Sequence, residues 1–197
     1  MLKKIHAVAG LVAVGAIGAA GVSLATADGG SQTVDRDALA LAVLTEQKGT
    51  SAAALLPRGR AGFDADSARV ASVASDGTRV IAVRRSDPRV PLGNGELVCV
   101  FALPKGPGAV PASGGCTAVD TFDENGVVAY LVEEGSRSEA VVGLVPDGVD
   151  AVTVTSESGA VDRVRVENNA FWRPRGTPVD EVSFDGPSGL VTIDAGR

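Results

Sequence analysis

Few residues of this 197-residue chain could do chemistry: one histidine, two cysteines, and 24 acids set against 18 bases. His6 sits at the extreme N-terminus, so a chain trimmed there keeps no imidazole. That removes the base of a Ser–His–Asp triad, the commonest metal ligand, and the side chain that titrates near neutral pH. No serine stands in a Gly-x-Ser-x-Gly or Ser-x-x-Lys context, and no glycine-rich phosphate loop of Walker or Rossmann type is present. No catalytic residue and no cofactor follow from these residues.

Carboxylates alone suffice for glycoside hydrolysis when two of them flank the scissile bond. Asp120, Asp123, Glu124, Glu133, Glu134, Asp180 and Glu181 are the candidates. Sugar sites add aromatic stacking platforms, however, and aromatic residues make up only 4% of this chain. These acids therefore read as turn and solvent-face charges. The stretch Thr121-Phe122-Asp123-Glu124-Asn125-Gly126 sets Asp, Asn and Gly at the third, fifth and sixth positions of the calcium-loop template. Its first position is Thr121, and its twelfth is Val132, where a bidentate Glu is required. It reads as a hairpin turn, and no metal site is expected.

The segment Phe171-Trp172-Arg173-Pro174-Arg175 carries the only tryptophan. An aromatic among arginines is either a partner anchor or a large side chain closing one end of a β core. Trp172, Arg173 and Arg175 are accordingly the candidate interaction surface.

The N-terminus indicates where such a surface would work. Lys3 and Lys4 precede an uncharged run over residues 7–27 that ends Ala25-Thr26-Ala27, directly before Asp28. A positive start, an apolar middle and an Ala-x-Ala exit are the parts of a secretory signal peptide, with cleavage after Ala27. The alternative is an uncleaved anchor, because a helix of that length spans roughly 30 Å. The two lysines stay inside under either reading, so the body ends up outside the cytoplasmic membrane. Losing Lys3 and Lys4 moves the formal charge from −6 to −8. An acidic body argues against nucleic acid and against anionic membrane surfaces, leaving the N-terminal segment as the only membrane contact.

In an exported chain the two cysteines pair. Cys99 and Cys116 would close a loop worth about 3 kcal/mol on the chain-entropy model, and the Gly- and Pro-rich stretch between them needs such a staple. There is no Cys-x-x-Cys and no histidine to make a reactive thiolate, so the bridge is structural.

These residues are positioned by a chain that divides into a signal segment (1–27), a polar linker (28–34), a helical segment (35–57) and a β domain (58–197). The helical segment holds a helix over about 37–47, with Leu39, Val43 and Leu44 as its stripe, and a further turn over 51–56 ending at Pro57. Strands are predicted at 69–75 and 78–85 around Asp76-Gly77, then at 97–103, 117–122, 127–133 and 139–145. Further strands follow at 151–155, 161–167, 180–184 and 190–194. Val152 and Val154 alternate with Thr153 and Thr155, which marks a strand with one wet face. The fold class is mainly β, a sandwich or open barrel of about nine or ten short antiparallel strands with one N-terminal α-helix.

The element Gly143-Leu144-Val145-Pro146-Asp147-Gly148-Val149, followed by Asn168-Asn169, resembles a recurring pattern in uncharacterised exported proteins of high-GC actinobacteria. The Leu39–Leu44 helix and the Cys99/Cys116 pair share in the likeness. The resemblance implies an exported protein and carries no catalytic residue with it. The expected function is a non-catalytic extracellular or cell-envelope domain that binds a protein or glycan. The alternatives are a secreted carboxylate-dependent hydrolase and a secreted inhibitor presenting the stapled 99–116 loop.

Overall fold

The structure, a computed structural model, describes residues 42–44, 50–56, 62–87, 89, 95–106, 113–132 and 139–195. The signal segment with Ala25, Ala27 and Asp28, the linker, and most of the expected helix lie outside them. Twelve strands occur among the described residues, in three antiparallel sheets.

The first sheet is ordered Thr50–Ser51 (β1), Arg69–Val73 (β2), Arg79–Ser86 (β3), Glu96–Leu103 (β4) and Ser113–Ala118 (β5). The second joins Val127–Val132 (β6), Glu139–Leu144 (β7) and Ala170–Gly176 (β10) in the order β10-β7-β6. The third joins Ala151–Ser156 (β8), Val161–Arg165 (β9), Val179–Gly186 (β11) and Gly189–Asp194 (β12) in the order β12-β11-β8-β9.

Period-two alternation explains the packing. On β3 and β4, Val80, Ala82, Val98 and Val100 face one core, which they share with Ala129, Val142, Leu144 and Ala170 of the second sheet. Their neighbours Ile81, Val83, Cys99 and Phe101 face the opposite way, into a core completed by Ala52 and Leu55. On β7, Val142 belongs to the first core, while Val141 joins Val152, Val154, Val182 and Phe184 of the third sheet. The first and second sheets are thus apolar on both faces, as continuous hydrophobic strands require. Thr153 and Thr155 keep the outer face of β8 half-exposed, matching the alternation read from the sequence.

Two expectations are corrected. The strand expected over 117–122 is cut short: β5 stops at Ala118, and Val119–Asn125 is an α-helix (α1), the only α-helix among the described residues. The hairpin turn expected at Asp123 to Gly126 is therefore its last turn. Gly126, at φ +60°, stops the helix and donates its N–H to the Phe122 carbonyl at 2.7 Å. The physical reason is that β5 and β6 lie in different sheets, and a helical turn carries the chain between them while burying Phe122 completely. This α-helix lies mid-chain, and the expected N-terminal helix falls mostly outside the described residues. What is described of the 35–57 segment comprises two short 3-10 turns, Ala42–Leu44 and Ala53–Leu55, flanking β1. Val43 and Leu44 are buried, as their place in the expected stripe required. The second correction is β10, which was not expected as a strand.

Candidate functional site

The site is built where β9 and β10 part. Asn168 and Asn169 both adopt left-handed backbone, φ +47° and +65°, the geometry of a two-residue hairpin turn. Glu167 and Ala170 exchange both N–H···O bonds across it, at 2.8 and 3.0 Å. Beyond that pair the strands separate, β9 to β8 and β10 to β7. Asn169 holds the fork by donating its side-chain amide to the Val145 carbonyl at 3.2 Å and to Asp147 Oδ1 at 2.6 Å. Asn168 donates to the Ala71 carbonyl on β2 at 2.9 Å, tying the fork to the first sheet.

Alongside lies a groove of about 250 Å3. One wall is Ser72, Val73 and the β2–β3 turn at residues 74–76; the other is Arg165, Glu167, Ala170, Trp172 and Pro174. The turn is shaped by Gly77 (φ +82°), whose N–H is donated to Ala74 O, and by Asp76 Oδ1, which accepts the Thr78 N–H at 2.8 Å. Val73 is 59% exposed although it is a large apolar residue in a strand. Trp172 is half-buried and packs on the first core, and its Nε1–H is buried with no hydrogen-bond partner among the described residues. A donor left in that state costs on the order of 1–3 kcal/mol until an acceptor reaches it.

The structure separates the three residues of the expected interaction surface. Trp172 borders the groove, whereas Arg173 points to the other side of β10 and is 7% exposed. Its Nε donates to Asp162 Oδ2 at 3.0 Å, and its Nη1 to the carbonyls of Thr177 (3.1 Å) and Glu139 (3.4 Å). Neighbouring positions on a strand face opposite ways, so Arg173 locks β10 to the third sheet. Arg175 is exposed on the same strand.

Cys99 and Cys116 stand directly opposite each other on β4 and β5 and are bonded, with 4.0 Å between their Cα atoms. The bridge is structural: Cys99 is fully buried in the second core. Of the acids considered for hydrolysis, Asp120 and Glu124 are exposed on α1, Asp180 is exposed on β11 and Glu181 is half-buried beside it. Glu133 and Glu134 lie outside the described residues. None of these lines the groove. The carboxylates that do are Asp76 and Glu167, which drew no notice in the sequence because one sits in a turn and the other at a strand end.

Two further charged features escaped the sequence. Asp87 accepts from Arg85 Nη2 at 2.9 Å and from the Nε, Nη2 and backbone N–H of Arg89 at 2.9, 3.0 and 3.1 Å. Those hydrogen bonds from Arg89, and the charges of both arginines, hold its carboxyl down at about 2. Burial pushes the Tyr130 phenol well above its usual range, and the nearby carboxylates Glu139, Asp194 and Glu181 push it in the same direction. Tyr130 therefore stays a neutral phenol near neutral pH.

Comparison with models of known protein families, with curated proteins and with solved structures finds no match to this chain.

Proposed function

We propose that this protein is a non-catalytic binding module working outside the cytoplasmic membrane, either secreted after cleavage before Asp28 or held there by an uncleaved N-terminal segment. It takes a protein or glycan partner. The observation that carries the reading is the groove beside Trp172: a concave surface with an exposed valine, a proline and a half-buried indole. Interaction sites are enriched in such aromatic anchors. The stacked sheets, read as a sandwich, serve as a rigid frame for that surface. The Cys99–Cys116 bridge suits an oxidising compartment, in keeping with the export signal and with the resemblance to exported actinobacterial proteins.

The test uses the one tryptophan as reporter. Purified protein is titrated with protein and polysaccharide fractions of an actinobacterial cell envelope while Trp172 emission is followed. A saturable change in emission, without new reducing ends or new peptide termini in the fraction, is the expected result. Steady release of cleavage products would overturn the non-catalytic reading.

A further inference from the structure

Ladder geometry around the groove says more about the partner. Antiparallel pairs alternate between residues that bond to each other and residues whose N–H and C=O turn outward. Val145 donates its N–H to Asn169 O, so along β10 the bonded pairs with β7 are Phe171 with Gly143 and Arg173 with Val141. Ala170 and Trp172 then turn their backbone groups away from β7; those of Ala170 meet Glu167, and Trp172 borders the groove. The same reasoning applies to β2. Ala74 donates to Thr78 O, so Val73, paired with Arg79, turns its N–H and C=O away from β3. Among the described residues, β1 covers only Arg69 and Val70 on that outer side. Among those residues two strand edges thus border one groove, and the Asn168–Ala71 hydrogen bond ties them together.

We infer that the groove takes an extended peptide as an added strand, and that the peptide is basic. This rests on the binding-module reading and narrows it to a peptide partner. Main-chain bonds to a strand edge suit a polypeptide, whereas a sugar needs the open face of an aromatic ring, and the ring of Trp172 is packed on the first core. Pro174 has no N–H, which limits the contact to a short segment. The charge preference follows from the rim, where Asp76 and Glu167 outnumber Arg165, within a chain of net charge −6. An apolar guest side chain covers Val73.

The test is an NMR titration of the purified, disulfide-bonded protein, in which the single tryptophan gives one indole N–H resonance. Four probes are compared: a blocked Lys-Thr-Val-Thr-Val-Thr-Lys peptide, its Glu-flanked counterpart, an analogue N-methylated at its central residues, and a tetrasaccharide of N-acetylglucosamine. The lysine peptide is expected to shift the indole resonance and to bind about tenfold more tightly than the Glu form. Trp172→Phe removes apolar surface from the wall of the groove and should weaken binding about fivefold, read from the backbone amide resonances since the variant has no indole. Glu167→Lys, at an exposed position whose change leaves the rest of the spectrum in place, should erase the preference for lysine. No shift with either unmethylated peptide at millimolar concentration, or equal binding of the N-methylated analogue, would overturn the inference. A shift by the tetrasaccharide alone would also overturn it while leaving the binding-module reading intact.

Discussion

Four donors converge on the Asp87 carboxylate from Arg85 and Arg89, and the arrangement sets a pH dependence. Its folded value of about 2 lies below the ordinary 3.8, so the folded chain binds fewer protons than the unfolded one between them. The contribution is therefore fully present above the unfolded value and lost as pH falls through the folded one. Thermal midpoints measured from pH 5 to pH 2 should fall for the native protein, and Asp87→Asn should flatten part of that fall. An identical acid profile in the variant would show that the cluster contributes nothing. Nothing in Arg85-Ser86-Asp87-Pro88-Arg89 announces this cluster, because ion pairing two residues apart leaves no pattern in a sequence. Asn168-Asn169, by contrast, was legible: two consecutive asparagines after an alternating strand are among the few non-glycine residues that accept left-handed backbone.

Among the elements, those that were legible were bounded by glycine turns. Gly77 and Gly159, at φ +82° and +79°, close the β2–β3 and β8–β9 hairpins where the alternation of the flanking residues breaks. Helix α1 was hidden by its own composition, since Val119, Thr121 and Phe122 read as strand and Asp-Glu-Asn-Gly as a turn. The usable signal was the spacing of Ala118 and Phe122, with Gly126 just past the end. β10 was hidden by Arg173, Pro174 and Arg175, which look like loop residues. Arg173 is accommodated because its guanidinium is fully engaged, and Pro174 because β10 is a sheet edge. Of the candidate site only Trp172 was legible, since the groove needs β10 to run beside β2, far away in sequence. The β4–β5 staple carries its own prediction. Replacing Cys99 and Cys116 by alanine should lower stability by about 3 kcal/mol, read as an earlier urea midpoint. Equal midpoints would show that the ladder holds the two strands unaided.

At the scale of the whole molecule, three cores are stacked so that the second sheet is covered on both faces. Its strands come from distant parts of the chain: β7 meets β10 only after β8 and β9 have been laid into the third sheet. No local pattern encodes that order, whereas the mainly β character follows from alternation and turn spacing alone. The net charge of −6 acts at this scale too. If a basic peptide is the guest, its association should slow several-fold between about 50 and 500 mM salt, because screening shortens the reach of the acidic field. Stopped-flow fluorescence of Trp172 measures this, and a salt-independent rate would count against electrostatic steering.

The groove between β2 and β10 also bears on solubility. A strand edge left bare is a template for self-association, and chains guard such edges with charges and prolines. Arg165, Glu167, Asp76 and Pro174 line the groove beside the edges of β2 and β10 in that role. The same four residues that leave room for a guest also keep neighbouring copies from pairing edge to edge. A chain that exchanged Pro174 for a strand-forming residue would lengthen the edge and lose that protection.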